Sequence, residues 1–281
     1  MRNHYTLLTA IAVFFFTGIN YVYSDSLYFF TSDRIFVPTE ASVTEARIGV
    51  TKYTDSKFLE LNIGATVDVI GLNKNKTDYS FGVDFFTYSN LRSEDNFKFP
   101  VDAIDYLFGV NFNMRKSIKN GYEISSRFRI SHISSHLQDG HIYERTDTIF
   151  TPFVFSKEFL DLSVVNTFKP SYNSELKSML SLNYIFHAIP EETAKFSGQI
   201  GLEGSYYFTQ LLGVYLSNDI NIASVKGKTN LNENLESGII FGKMNTKKIR
   251  LYFRYYDGQD YRGQYYGNYF NYKGIGLKFS F

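Results

Sequence analysis

The chain has 281 residues, with 29 Lys and Arg against 28 Asp and Glu, 28 Phe and 23 Tyr, and neither Cys nor Trp. A formal net charge of +1 argues against a nucleic-acid-binding protein, because holding a polyanion requires an excess of clustered Lys and Arg. The absence of Cys excludes disulfides, thiolate metal sites and cysteine nucleophiles.

Residues 1–24 have the layout of a secretory signal peptide. A polar start with Arg2 precedes an apolar run from Leu7 to Phe16, and Val22 and Ser24 are suitably placed for cleavage before Asp25. A membrane anchor is the alternative, but the run has about 10 strongly apolar residues where a spanning helix needs about 20. We therefore predict an exported protein in which residues 25–43 lead into a barrel formed by residues 44–281.

The rest of the chain alternates between apolar and polar residues in segments of about 9 to 15, the pattern of antiparallel strands. From Phe196 to Tyr207, the even positions are mostly apolar and the odd ones mostly polar. About 13 such segments occur, and single-chain bacterial barrels normally have an even number of strands. We predict an all-β fold, a closed antiparallel transmembrane β-barrel of about 12 strands, within a range of about 10 to 14. The first segment, near residue 44, is expected not to be a strand.

Segment length and aromatic content favour a membrane barrel over a soluble β-sandwich. Sandwich strands usually have about 5 to 6 residues, whereas a tilted strand needs about 9 to 11 to cross a bilayer. We therefore expect the Phe and Tyr surplus to face lipid. The last segment places Leu277, Phe279 and Phe281 on one face and ends in Phe, which resembles the signal read by the barrel assembly machinery. Residues 116–121 and 244–247 are predicted periplasmic turns, and residues 259–268 a predicted external loop.

Three stretches resemble a family of bacterial outer-membrane proteins known only as a domain of unknown function. They are Asp33–Pro38 running on to Glu45–Val50, then Arg129–Asp139, and finally Tyr255–Gln259 with Gly263–Tyr266. The middle stretch is the most specific of the three. The resemblance implies a barrel and supplies no activity.

The middle stretch also carries the one candidate for chemistry. Even positions from Tyr122 onward are predicted to face lipid, and they place His132, Ser134 and His136 side by side. An adjacent His and Ser are the minimum for a hydroxyl nucleophile with its base. The His-x-Ser pattern resembles that of outer-membrane phospholipase A and lipid A deacylase, although Ser135 and His136 replace the Asn-Gly that follows the phospholipase serine.

Two other interpretations of this stretch stay open. His and Ser are tolerated at a membrane interface, and a shift of one residue in register would turn all three side chains into the lumen. The residue that would orient the base is not identified by the sequence, since Asp139 and Glu144 are near only along the chain. A structural or loop-anchoring role is therefore the favoured interpretation.

Charged residues on the opposite face predict a polar lumen. By the same alternation, Glu123, Arg127, Arg129, Arg250 and Arg254 should line the interior. Such residues can hold a narrow barrel shut through ion pairs or tune a pore, and the structural role is favoured.

The function predicted from the sequence is thus a bacterial outer-membrane barrel that is structural or a narrow channel, and a non-enzymatic role is the favoured interpretation. The alternative is a lipid esterase using Ser134 and His132. We predict location in the outer membrane of a Gram-negative bacterium, with outer-membrane lipid and the barrel assembly machinery as partners. No cofactor, metal site or nucleic-acid partner is predicted, because the sequence has no ligand spacing or phosphate-binding motif for one.

Overall fold

The computed structural model describes residues 26–30, 34–119, 121–137, 142–143, 148–149, 152–191, 193–244 and 246–280. The predicted signal peptide and the terminal Phe281 lie outside these residues. Within the described part of the chain, no helix is long and apolar enough to cross a membrane.

The described chain is almost entirely β-structure and forms a closed antiparallel barrel with twelve wall strands. This architecture confirms the predicted fold class and strand number. The wall strands are β2 (Ile48–Tyr53), β3 (Phe58–Lys74), β4 (Thr77–Arg92), β5 (Val101–Lys119), β6 (Tyr122–Leu137), β9 (Phe155–Ser171), β10 (Ser174–Ile189), β11 (Thr193–Tyr207), β12 (Leu212–Val225), β13 (Lys228–Phe241), β14 (Lys248–Gln259) and β15 (Tyr269–Ser280). The barrel closes where β15 pairs with β2, from Phe279 opposite Ile48 to Gly274 opposite Tyr53.

Side chains alternate between the lumen and the outer surface along each strand, as the sequence pattern predicts. On β6, Arg127 and Arg129 are buried while Phe128 and Ile130 are exposed. On β11, Glu203 is buried next to the exposed Leu202. The outer surface is therefore apolar and the lumen polar, the reverse of a soluble protein and the arrangement of a barrel in lipid.

The two ends of the barrel differ in the length of their connections. One end, here called the terminal rim, holds the end of β15 and two-residue turns such as Asn75–Lys76 and Tyr172–Asn173. The opposite end, here called the loop rim, holds the long connections at 93–100, 138–154 and 260–268. Short periplasmic turns and longer external loops are usual in outer-membrane barrels, which makes the loop rim the expected external side.

The first wall strand is interrupted. A short strand β1 (Ser26–Phe29) pairs with the end of β3 at Ile70–Asn73, whereas β2 pairs with β3 at Leu59–Asn62. Both run antiparallel to β3 along the same edge, so they occupy two parts of one strand position. Residues 34–47, which precede β2, lie in the lumen and not in the wall.

Residues 34–47 form this lumenal segment, here called the plug. The backbone N–H of Ile35 donates to Asp68 Oδ2 at 2.8 Å, that of Glu40 to Glu203 Oε2 at 2.7 Å, and that of Ala41 to Ser217 Oγ at 3.1 Å. These wall side chains satisfy backbone groups that a segment without regular structure would otherwise bury unpaired. The plug is therefore built into the barrel interior.

The strand count corrects two details of the sequence prediction. The segment near residue 144 is not a wall strand: β7 (Ile142–Tyr143) and β8 (Thr148–Ile149) pair only with each other, within the loop between β6 and β9. The first segment does contain a wall strand, but β2 begins at Ile48, after the plug. Alternation alone could not separate a loop hairpin from a spanning hairpin, because both are strands locally.

The aromatic residues also divide differently from the prediction. Many Phe residues are exposed on the outer face, but a large group of tyrosines is buried in the lumen. Tyr53, Tyr256, Phe270 and Tyr272 pack as one cluster near the loop rim, with the rings of Tyr53 and Tyr272 4.2 Å apart. Aromatic content therefore serves both the lipid face and the interior packing.

Candidate functional site

The outer face of β6 near the loop rim carries a polar patch. His132, Ser134 and His136 alternate with the buried Ser131, Ile133 and Ser135, which places the three side chains on the lipid-facing side. They follow the exposed Phe128 and Ile130 on the same face. The patch therefore lies between the apolar band and the loop rim.

A carboxylate stands directly beside His132. β9 pairs with β6 so that Glu158 is opposite His132, and Glu158 Oε1 lies 2.6 Å from His132 Nδ1. The other carboxylate oxygen is hydrogen-bonded to Nδ1 of His187 on β10. Three adjacent strands thus contribute one residue each to a His–Glu–His row.

The contact with Glu158 determines which ring nitrogen of His132 carries the proton. A carboxylate at Nδ1 favours the tautomer with the proton on Nδ1, which leaves Nε2 as a proton acceptor. Among the described residues, no hydrogen bond is made by His132 Nε2 or by the Ser134 hydroxyl, and none joins the two. Both reactive atoms are available on the same face of the strand.

The surroundings of Ser134 are polar on one side and aromatic on the other. Ser156 of β9 and Tyr106 of β5 are its cross-strand neighbours. His136 packs edge-on against Tyr106, with ring centroids 5.7 Å apart. His136 is thereby held by an aromatic contact and takes no part in the His–Glu–His row.

Sequence reasoning missed Glu158 and His187. They are separated from His132 by long stretches of chain, and only the pairing of β6 with β9 and of β9 with β10 brings them together. Asp139 and Glu144, the acids near His132 in sequence, lie outside the described residues. Within the described part of the chain, no group of three or more His, Asp and Glu side chains could hold a metal ion.

The predicted lumenal residues form a second polar region. The Arg127 guanidinium binds the Glu45 carboxylate of the plug through two hydrogen bonds, of 2.8 and 2.5 Å, and Asp161 at 3.2 Å. Its guanidinium carbon also lies 4.4 Å from the centre of the Phe36 ring. Arg129 lies beside the same carboxylates, 3.5 Å from Glu45 and 3.8 Å from Asp161.

The remaining lumenal cations are held by carboxylates as well. Arg254 binds Glu236 at 2.7 Å and Glu60 at 3.1 Å, and Arg250 binds Glu40 of the plug at 2.8 Å. Glu40 thereby connects the plug to the wall, and Lys278 joins it to Glu236.

Glu123 lies at the lumenal side of the terminal rim, where its carboxylate is 4.0 Å from Arg115. Its side chain is 36% exposed, so it is the most open of the predicted lumenal residues. Leu277 and Phe279, from the predicted assembly signal, are exposed on the outer face of β15.

The loop at 260–268 closes part of the loop rim. Its N–H groups at Gly263 and Gln264 donate to Asp105 Oδ2 and Ser135 Oγ, at 2.8 and 3.2 Å. Arg262 is buried, pairs with Asp260 and lies 4.7 Å from the centre of the Phe270 ring. Burial opposes the charged form of Arg262, but the Asp260 carboxylate outweighs this and raises the pKa of Arg262 well above its ordinary value. This loop thus folds inward and is not a simple polar turn.

Comparisons with known proteins agree with this architecture. The profile of a family described as "Protein of unknown function (DUF1207)" matches residues 66–281. No curated protein matches the chain. Outer membrane phospholipase A from Escherichia coli superimposes with a TM-score of 0.57 at 12% identity, covering 88% of this chain and 95% of that one.

Two further solved structures are more distant. OmpT of Vibrio cholerae has a TM-score of 0.46 at 8% identity, covering 83% of this chain and 95% of that one. The β domain of the Bordetella autotransporter BrkA has a TM-score of 0.42 at 12% identity, covering 84% of this chain and 100% of that one. The phospholipase superposition shows that the chain has the fold of an outer-membrane barrel, and the profile match confirms the resemblance to a family of unknown function.

Proposed function

We propose that this chain, which belongs to the DUF1207 family of proteins of unknown function, is an outer-membrane lipid esterase with its active site on the outer face of the barrel. The observation that carries the proposal is the 2.6 Å contact between Glu158 and Nδ1 of His132, on the same face of β6 as Ser134, whose hydroxyl has no hydrogen-bond partner among the described residues. A serine, a histidine and a carboxylate in these relative roles are the elements of hydroxyl-based acyl transfer. The likeness of the fold to a phospholipase agrees with this assignment and does not by itself supply it.

The chemistry follows from these roles. Ser134 Oγ attacks the ester carbonyl carbon while His132 Nε2 accepts the hydroxyl proton, and the Glu158 carboxylate stabilises the resulting imidazolium. The tetrahedral intermediate then expels the alcohol of the lipid, which takes the proton from His132. Water attacks the remaining acyl-Ser134 ester with His132 again as base, and this releases a fatty acid and restores the serine.

The position of the patch suits a lipid substrate. Ester bonds of a bilayer lipid lie at the boundary between the acyl chains and the headgroups, and the patch lies between the apolar band and the loop rim. Placing two histidines and a glutamate on a lipid-facing surface is unfavourable unless they are used or lie in the interface. Outer-membrane lipid is therefore both the proposed partner and the proposed substrate.

Loss of fatty-acid release on removal of one hydroxyl tests the proposal. The refolded protein and its Ser134→Ala variant are compared on phosphatidylethanolamine vesicles and on lipopolysaccharide, with labelling of Ser134 by a fluorophosphonate as a readout that needs no known substrate. The matched control is Ser126→Ala, which removes a hydroxyl from the same face of the same strand. The proposal is wrong if the parent protein neither releases fatty acid nor is labelled at Ser134.

A closed structural barrel is the second candidate, and the plug favours it. Residues 34–47 and the inward-folded loop 260–268 both occupy the lumen and are tied to the wall by hydrogen bonds and ion pairs. Such filling opposes the narrow-channel alternative, because side chains and chain segments inside a barrel of this size take up the room that an aqueous path would need. Planar-bilayer recordings test this point: stepwise currents from the folded protein would favour the channel.

A further inference from the structure

The lumen is not completely filled. A cavity of about 170 Å³ lies between the tip of the plug at Val43–Thr44 and the loop that follows β14. Its lining reaches Val225, at the loop-rim end of β12. It is separated from the lipid-facing histidines by the barrel wall, so it is independent of the proposed esterase site.

The lining of this cavity has a distinctive composition. One side presents amide side chains from four consecutive strands, β10 to β13: Asn183, Gln199, Asn221, Asn232 and Asn234. The other side presents the aromatic rings of Tyr256, Tyr261 and Tyr266. Amides both donate and accept hydrogen bonds, and aromatic faces offer flat apolar surface, so together they suit a polyhydroxylated ring.

Two buried side chains at the cavity have polar atoms without a partner. Arg129 is 3% exposed, and its Nε and Nη1 make no hydrogen bond to any residue that the structure describes. Asn234 is 2% exposed, and its Oδ1 is likewise unpaired among the described residues. Leaving such groups unpaired is unfavourable, and more so when the group is charged. A ligand that accepts from Arg129 and donates to Asn234 would remove this cost.

The charges indicate which ligand fits. Arg129 shares its two neighbouring carboxylates with Arg127, which already takes the hydrogen bonds, and Lys157 adds a second cation to the cavity lining. The acids on the opposite side are already held, Asp219 by the Gln199 amide at 2.8 Å and Asp260 by Arg262. A guanidinium with free N–H groups matches a carboxylate or a phosphate.

We propose that this cavity binds an anionic saccharide from the loop-rim side. Its carboxylate or phosphate pairs with Arg129, its hydroxyls bond the amide side chains, and its ring packs on the tyrosines. The source of the negative charge can be a uronic acid or a sugar phosphate, because both present the same oxygen acceptors to the guanidinium.

Calorimetric titration of the refolded full-length barrel in detergent micelles tests the proposal. The probes are D-glucuronate, D-glucose 6-phosphate, D-glucose and inorganic phosphate. We expect saturable binding of at least one anionic sugar. D-glucose, which lacks the charge-assisted contact, and inorganic phosphate, which lacks the ring hydroxyl contacts, should each bind more weakly by about tenfold or more. The tighter of the two anionic sugars identifies the source of the charge.

Three variants locate the site. Arg129→Gln should weaken binding of the anionic sugar by about tenfold or more, so that it binds no more tightly than D-glucose. Arg115→Gln is the matched control, since Arg115 is a lumenal arginine near the terminal rim that does not line the cavity. Asn183→Leu places an apolar side chain on the amide side of the cavity and should weaken binding of the anionic sugar and of D-glucose. It removes no hydrogen bond to the plug among the described residues.

Each preparation is titrated only after its heat-modifiable gel mobility shows a folded barrel. Absence of saturable binding of either anionic sugar to the folded parent protein would overturn the proposal. So would inorganic phosphate binding as tightly as D-glucose 6-phosphate, or unchanged binding in both Arg129→Gln and Asn183→Leu.

Discussion

Two polar regions of this barrel both pair carboxylates with basic side chains, and they differ in how many partners each group has. In the lumen, Arg254 and Glu236 are fully buried, and each has several charged or hydrogen-bonding partners. On the outer face, His132 and His187 are 43% and 58% exposed and share a single carboxylate. Buried charges whose hydrogen bonds are all made stabilise the fold. The outer site instead leaves His132 Nε2 and the Ser134 hydroxyl without a hydrogen bond among the described residues, so both are able to react.

This comparison makes opposite predictions for activity and for stability. Removing a lumenal charge should destabilise the barrel, because it leaves the partner charge buried and uncompensated. Removing an outer polar group should leave the fold intact and abolish chemistry. The four variants below are ordered by expected effect.

Glu158→Leu should lower esterase activity by about 10²- to 10⁴-fold, because it removes the group that orients the His132 base. Its unfolding free energy in urea should stay within about 1 kcal/mol of the parent value, since the side chain is partly exposed and its hydrogen bonds within the described part of the chain are the two to histidines. Fatty-acid release and urea titration of the same sample measure both quantities. A large loss of stability together with activity would make Glu158 a structural residue.

Arg254→Met should destabilise the barrel by about 3 to 5 kcal/mol, because Glu236 and Glu60 lose their shared buried cation. Arg115→Met is the control: Arg115 is 28% exposed and pairs with the partly exposed Asp78 and Glu123, so about 1 kcal/mol or less is expected. Urea unfolding in lipid vesicles compares the two variants. Equal losses would contradict the contrast drawn between buried and exposed pairs.

Glu45→Gln should loosen the plug, because it removes the charge that receives both hydrogen bonds from Arg127. The expected loss of stability is about 1 to 3 kcal/mol, and protease cleavage within residues 34–47 should accelerate. Esterase activity should not change, because the outer site is on the other side of the wall. If protease cleaved the variant no faster than the parent protein, the other plug contacts would be sufficient to hold the plug in place.

His187→Asn should have the smallest effect, a loss of activity of about tenfold. His187 is hydrogen-bonded to Oε2 of Glu158, the carboxylate oxygen that does not contact His132, so it acts on the base only through Glu158. The effect should fall on the turnover rate more than on apparent substrate affinity, as expected for a positioning residue. A loss as large as that of Glu158→Leu would give His187 a direct role in the reaction.

Much of the fold follows from local pattern. Period-two alternation predicted which side chains of β5, β6 and β11 face outward, because backbone pleating fixes that choice within each strand. It also placed Arg127, Arg250 and Arg254 on the lumenal face of their strands. The same pattern could not separate the loop hairpin near residue 144 from a wall strand, and it assigned the aromatic surplus to lipid alone.

The sequence by itself determined the barrel, its approximate strand number, its polar interior and the shared face of His132, Ser134 and His136. Only the tertiary structure decided that Glu158 and His187 stand beside His132, and that the plug fills the lumen and leaves a cavity beneath the loop rim. The physical reason is that alternation is a property of one strand, whereas partners are set by register between strands and by closure of the sheet. The candidate acid was therefore found by the pairing of β6 with β9, not by its distance along the chain.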